Sequence, residues 1–270
     1  MRNLKRLVFV VLALAANAAA AETEFARVFE DSRGQPIALQ VAIVSYVDPN
    51  DLDVRVDLIG AIHIGDADYY HDLNRRFEDY DALLYELVAP EGTVIEPGPR
   101  DHQGIISNTQ SMMRTALDLA YQLEEIDYTA DNFVHADLSP TQFSESMDER
   151  GESLYVYFWR MFYASMGQYA RDPLGLQDTT TLASAMASGN DSPMKVMLAY
   201  QMADPATLKD MLGKDADNAV IGARNQRAID VLKEQLDAAD GYYGIFYGVA
   251  HMPDFEDRLI DQLGLEYDGT

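Results

Sequence analysis

The stretch VRVDLIGAIHIGDADYYHDLNRRFEDYDALLYELV, residues 54–88, decides the fold. Its opening, Val54 to Ile62, has the apolar patterning of a strand. Asp66 stands where a helix N-cap belongs, and a helix is predicted over roughly Ala67 to Tyr80. Ala82 to Val88 is again a short apolar run, read as a strand. Strand, helix and strand in this order form a βαβ unit, which implies parallel pairing through a right-handed crossover.

Working outward, Ile37 to Val47 (IALQVAIVSYV) alternates as one strand, joined to the next by a turn at Pro49-Asn50. Downstream, a polar loop from Ala89 to Gln103 is followed by sequence of helical character, with helices expected near 105–125, 151–170, 193–202, 205–212 and 217–238. Ser139-Pro140-Thr141-Gln142 carries the residues of a capping box with proline at the first helical position. Tyr242 to Val249 (YYGIFYGV) returns to strand, and a last helix is expected from Pro253 to Leu263. Strands thus bracket a helical middle. The predicted class is α/β, with a central mixed or parallel sheet and a large helical insertion at about 104–240 between the early strands and the last one.

Residues 1–21 read as a cleavable secretory signal peptide, with Arg2, Lys5 and Arg6 ahead of an apolar run from Leu7 to Ala16 and Ala19-Ala20-Ala21 before Glu22. That apolar run rises only about 15 Å as a helix, roughly half a hydrocarbon core, so no stable membrane anchor is expected after processing. The expected location is periplasmic or secreted, with residues 22–270 as a single domain. Cysteine is absent from the sequence, which removes disulfides, thiolate metal sites and cysteine nucleophiles. A net charge of −25 repels phosphate backbones and argues against nucleic acid as a partner.

Two segments share the pattern G-x-x-H at predicted strand ends: Gly60-Ala61-Ile62-His63 and Gly248-Val249-Ala250-His251. Open α/β sheets place ligands beyond the carboxyl ends of their strands, where both histidines belong. Glu86, inside an apolar run, is a carboxylate that is costly to bury unpaired. Two imidazoles and one carboxylate suit a divalent transition metal such as zinc, with an open position for water. A metal-free arrangement, with one histidine as general base, is equally compatible with these residues. No G-x-S-x-G elbow, H-E-x-x-H helix, phosphate loop or dinucleotide fingerprint occurs in the sequence. Arg224 and Asn225, in the predicted helix before the last strand, offer a guanidinium and an amide to a developing oxyanion. Tyr85, His135 and Asp137 are candidates for substrate or supporting contacts, with Asp137 placed to orient His135. His71 and His102 receive no role. The aromatic segment Tyr155 to Tyr169 and the paired Met194 and Met197 read as core rather than as a groove or a copper site.

The GAIH segment, the glutamate of Tyr85-Glu86, the Arg224-Asn225 pair and the GVAH segment resemble, in order and context, the pattern of the TraB/PrgY/GumN/Tiki family, over roughly residues 35–265. The resemblance implies an α/β fold with a helical insertion, distantly similar to erythromycin esterases and ChaN-like proteins. It also implies a metal-dependent protease site using manganese or cobalt. His63, Glu86 and His251 would then be the metal or catalytic core, and Arg224 and Asn225 supporting polar groups. A peptide or protein is the expected substrate. Two other classes stay open: a non-catalytic protein that captures a peptide or signal molecule, and an esterase or haem-binding relative. A helix beginning close to Pro253 is expected to set His251 beside a positive helix end, which disfavours its protonated form.

Overall fold

A computed structural model describes residues 23–96, 98, 120–152, 192–204 and 218–270. The signal segment, His102, the aromatic segment 155–169, most of the helix expected near 105–125 and the helices expected near 151–170 and 205–212 lie outside these residues, as do the side chains of Met194 and Met197. No helix among the described residues is long and apolar enough to cross a membrane.

The strands are β1 (Ala26–Glu30), β2 (Pro36–Val41), β3 (Ile43–Asp48), β4 (Asp51–Ala61), β5 (Ile64–Gly65), β6 (Ala82–Tyr85), β7 (Ala120–Tyr121), β8 (Phe133–His135), β9 (Tyr242–Gly248) and β10 (Glu266–Gly269). The helices are α1 (Ala67–Phe77), α2 (Gln122–Glu125), α3 (Pro140–Glu149), α4 (Ser192–Ala203), α5 (Arg224–Ala238) and α6 (Met252–Leu263). A π-helical turn over Ala219–Ala223 precedes α5, and a 3-10 turn over Val249–His251 precedes α6.

Six strands form a mixed sheet in the order β10-β3-β4-β9-β6-β8, so the class is α/β. β3 lies antiparallel to β10 and to β4, whereas β4, β9, β6 and β8 run parallel. The unit β4-α1-β6 is present, but its two strands do not pair with each other. β9 lies between them and hydrogen-bonds to both. Local pattern specifies strands and their spacing. Which strand fills the gap is decided by long-range pairing.

The single strand expected over Ile37 to Val47 divides at Ala42, whose N–H donates to Phe25 O (2.9 Å) while its carbonyl accepts from Gly60 N–H (3.3 Å). On one side of that residue β2 pairs with β1, and on the other β3 pairs with β4. Within the middle expected to be helical, β7 and β8 are strands, and β7 occupies positions 120–121 of the helix expected near 105–125. Asp66 takes the N-cap position of α1 without a side-chain cap bond. Ser139 and Gln142 form the reciprocal capping box of α3, with Pro140 in its first turn.

Both faces of the sheet are covered. Val56, Leu58, Leu84, Ile245 and Tyr247 pack against Ile229 and Leu232 of α5 and Phe255 and Leu259 of α6. Ile59, Leu83, Tyr85 and Phe246 pack against Tyr70, Leu73 and Phe77 of α1. The strands therefore read as nearly continuous apolar runs, as strands buried on both faces do. Gly244 makes the close approach on the α1 face possible. A methyl group there would meet Leu83 Cδ1 at 2.5 Å and Ile59 Cδ1 at 3.1 Å, and both neighbours are fully buried. Gly244→Ala is expected to lower stability by about 1–3 kcal/mol. The measurement is the urea midpoint, and an unchanged midpoint would show that this interior repacks without strain.

Candidate functional site

The carboxyl ends of the four parallel strands stand side by side, and each delivers a polar group. β4 leads to His63, β9 to Gly248 and His251, β6 to Glu86, and β8 to Asp137. Register sets their height: Ala61 lies opposite Gly248, and Tyr85 lies opposite both Phe246 and His135.

Glu86 is the hub. Its Oε1 accepts from Arg224 Nη2 (2.7 Å) and its Oε2 from the Gly248 N–H (2.7 Å). A Cβ at position 248 would stand 3.3 Å from Oε2, tighter than most real contacts, so glycine keeps that approach open. Burial alone would raise the Glu86 carboxyl. The positive charges of protonated His251, Arg224 and His63, together with the Gly248 N–H, outweigh burial and hold it at about 2. Arg224, only 8% exposed, is also gripped by Asp137, with Nε donating to Oδ1 at 2.9 Å and Nη2 to Oδ2. Burial favours its neutral form, but the hydrogen bond to Asp137 and the charge of Glu86 prevail and keep it charged.

His251 is 4% exposed and faces Glu86, with Nε2 and Oε1 3.7 Å apart. Its tautomer follows from Asn225. The Asn225 Nδ2 donates to two acceptors, His251 O (3.1 Å) and Asp254 Oδ2 (2.7 Å), so the amide oxygen must be the group facing His251 Nδ1 at 2.6 Å. An oxygen only accepts, hence Nδ1 carries the proton and Nε2 presents its lone pair. Burial is the main cause that pulls the imidazole down to about 4, against the attraction of Glu86 and with the positive charge of Arg224 assisting. His251 also sits at the N-cap of α6.

The two G-x-x-H segments are not equivalent. After Gly248 the chain coils into the 3-10 turn and folds His251 inward. After Gly60 the strand runs on to Ala61, and His63 lies in an exposed bend. Strand alternation gives the reason. Ile59 and Ala61 belong to the α1 face, and His63, two residues on, stays on that side, where its Nδ1 meets Gln122 Oε1 at 3.2 Å. Leu84 belongs to the α5 face, and Glu86, two residues on, emerges there. Among the described residues no group of three or more His, Asp or Glu side chains is gathered closely enough to hold a metal ion. The donor chemistry itself suits one, because Glu86 is anionic and each histidine has Nδ1 turned to an amide oxygen, which leaves Nε2 for a ligand.

Several other expected roles change. Asn225 is fully buried and both of its amide groups are engaged with His251 and Asp254, so it orients the imidazole and offers no donor to an oxyanion. Asp137 does not orient His135. It grips Arg224, while His135 Nε2 lies 2.7 Å from Leu87 O. Tyr85 is 6% exposed and packs in the α1-side core against Tyr128 and Phe133, which removes it from substrate contact. Two residues had gone unread. Asp254, which fixes Asn225 and is itself held by Arg258 Nε (2.6 Å), lies in the first turn of α6, a position that favours acids. Gln122 holds His63 through its side chain and through its N–H, which donates to His63 O (3.0 Å), and nothing in its local sequence signals this.

Comparison with protein-family models, with curated proteins and with solved structures gives no match.

The two displaced proton affinities fix a pH response. Between 6.5, the ordinary histidine value, and about 4, the unfolded chain takes a proton that folded His251 refuses, so folding stability falls as pH falls. Glu86 extends the loss from 4.5 down to about 2. The histidine alone contributes about 3 kcal/mol of this change. Urea titrations across pH 7 to 4 should show it, and His251→Gln should flatten the interval between 6.5 and about 4. A separate expectation concerns the clamp on Arg224. Asp137→Ala leaves a buried guanidinium short of acceptors and should cost about 3–5 kcal/mol; a loss under about 1 kcal/mol would mean that Arg224 finds water or another acceptor instead.

Proposed function

We propose that this chain is an exported hydrolase of the TraB/PrgY/GumN/Tiki type, acting on peptide bonds at the carboxyl edge of its parallel strands. One observation carries the reading: an anionic carboxylate, Glu86, faces the lone pair of a neutral imidazole, His251 Nε2, across 3.7 Å. Two acceptors facing each other without a proton between them leave room for a water or a cation. Both are held rigidly, Glu86 by Arg224 and the Gly248 N–H, His251 by Asn225.

In this reading His251 Nε2 takes the proton of an attacking water, and Glu86 stabilises the imidazolium that results. Asn225 Oδ1 keeps the Nδ1 proton in place, so the ring neither rotates nor changes tautomer. Glu86 does not take the proton itself, since the charge of the imidazolium, of Arg224 and of His63 and the Gly248 N–H together hold its carboxyl below the imidazole. His63 stands at the exposed rim as a polar contact for the substrate. A divalent ion, manganese or cobalt by resemblance and zinc by ligand chemistry, would be held by His251 Nε2 and Glu86, the two donors that face each other, and when bound would supply an acidified water.

The test uses purified protein, chelated and then supplied with manganese, cobalt or zinc, with bound metal counted per chain and cleavage of fluorescence-quenched peptides followed by mass. His251→Ala and Glu86→Gln should each lower kcat by about 10²–10⁴-fold. Cleavage should rise with pH through about 4, where His251 loses its proton, rather than near the ordinary histidine value. If both His63→Ala and His251→Ala retain full cleavage, the chemistry lies elsewhere. Peptide binding without turnover under every metal condition would make the chain a capture protein.

A further inference from the structure

The proposed reaction leaves one requirement unmet. Water adding to a carbonyl pushes an electron pair onto its oxygen, and that oxygen needs a fixed donor. Asn225 has committed both of its N–H bonds to His251 O and Asp254, and Arg224 Nε and Nη2 are turned to carboxylates.

Tyr128 has a donor to give. It is 6% exposed, and its oxygen accepts from Gln122 Nε2 at 2.8 Å. A phenol also carries a proton, and among the described residues that proton meets no acceptor. A buried donor left in this state is costly and calls for an explanation. Gln122 supplies part of it. Its amide stands between two groups, with Oε1 at 3.2 Å from His63 Nδ1 and Nε2 toward Tyr128. Turned the other way, the amide would take the tyrosine proton and leave the histidine proton on Nε2. With its oxygen on His63, it places that proton on Nδ1 and leaves the Tyr128 O–H uncommitted.

The position of this hydroxyl follows from its neighbours. The Gln122 N–H donates to His63 O and Ile64 pairs with Tyr121, so His63, Gln122 and Tyr128 form one unit on the α1 side of the rim. The charge of a protonated His63 reaches Glu86, and the charge of Glu86 reaches the Tyr128 hydroxyl. Tyr85, whose ring packs on Tyr128 at 5.1 Å, differs: its hydroxyl is raised by burial alone and lies on no bonded path to His63.

We propose that the Tyr128 hydroxyl is the donor that the site offers to the carbonyl oxygen of its substrate, from the opposite side of the strand ends to Glu86 and His251. This rests on the hydrolase reading and adds a catalytic residue to it. His251 Nε2 takes one proton of the water, the water oxygen bonds to the carbonyl carbon, and the carbonyl π pair moves to its oxygen, which accepts from Tyr128. Return of that pair breaks the C–N bond, and the imidazolium gives its proton to the leaving nitrogen, so an acid and an amine depart. Tyr128 keeps its own proton throughout. Burial first, and the charge of Glu86 after it, hold the phenol above its ordinary value against the Gln122 N–H.

The test uses the purified full protein, the fluorescence-quenched peptides, and an alanine tetrapeptide whose central amide is replaced by a phosphinate, a tetrahedral group with anionic oxygens. Tyr128→Phe keeps the ring that packs on Tyr85 and Phe133. It should lower kcat by about 10²–10³-fold with KM within about twofold. Phosphinate binding, read by calorimetry, should weaken about ten- to hundredfold while binding of the amide parent is unchanged. Gln122→Glu puts a carboxylate where the amide N–H was, captures the tyrosine proton and should give the same losses with Tyr128 in place; it decides alone if Tyr128→Phe does not fold. Nitrogen-15 spectra of the neutral His63 ring should show the proton on Nδ1. Phosphinate binding that depends on Tyr128 without cleavage of any peptide supports this inference and overturns the hydrolase reading. Full kcat and undiminished phosphinate binding in a folded variant, or a His63 proton on Nε2, overturns the inference and leaves cleavage by the unaltered protein to stand. Neither cleavage nor phosphinate binding by the unaltered protein overturns both.

Discussion

The ion pair between Glu86 and Arg224 is the constraint around which the rest of the site is arranged. A carboxylate at the end of a buried strand is tolerable only if its charge is met, and here one oxygen is met by the guanidinium and the other by the Gly248 N–H. Those two bonds join the ends of β6 and β9 to the first residue of α5. Arg224 has further donors that must be met, and Asp137 at the end of β8 accepts from its Nε and Nη2. β6, β8, β9 and the start of α5 are thereby locked at one level. With two carboxylates to one guanidinium, the net charge of this cluster is negative.

His251 is held by a second chain of contacts that leads away from the first. Arg258 fixes Asp254, Asp254 fixes the Asn225 amide, and Asn225 fixes the imidazole. Each link removes one rotational choice, so the proton position on His251 is set by Asn225 and, through it, by residues that do not touch the imidazole. Arg224 and Asn225, adjacent in sequence, divide the work: one controls the charge of Glu86 and the other the tautomer of His251. This explains why the pair opens α5, where consecutive side chains point about 100° apart and so reach two different partners.

Much of the fold was legible because burial on both faces writes apolar runs into the strands and the βα connections are short. The strand over Val54 to Ile62, the helix over Ala67 to Tyr80 and the strand over Tyr242 to Val249 were readable from pattern alone, and they are present as β4, α1 and β9 with ends a few residues different. β8 and β10 escaped because each is short, with the polar His135 ending one and Glu266, Tyr267 and Asp268 making up most of the other. The break at Ala42 escaped because nothing in an alternating run marks where it changes partners. The chemistry of the site was legible as residue types at strand ends. Asp137 was noticed for the wrong partner, since its neighbour His135 is close in sequence and Arg224 is close only in space.

By itself, the sequence determined that two histidines stand at the ends of predicted strands, and that Glu86, inside an apolar run, must have a partner if it is buried. Those statements need only local periodicity and the cost of burying charge. The tertiary structure decided that β9 inserts between β4 and β6, which sets Gly248 and His251 beside Glu86. It also decided on which face each side chain emerges, which parts His63 from that pair. Strand order and register are long-range choices, settled by which backbone edges pair and which faces are covered. A strand's period of two specifies that its faces differ, and only packing against α1 or α5 specifies which face is which.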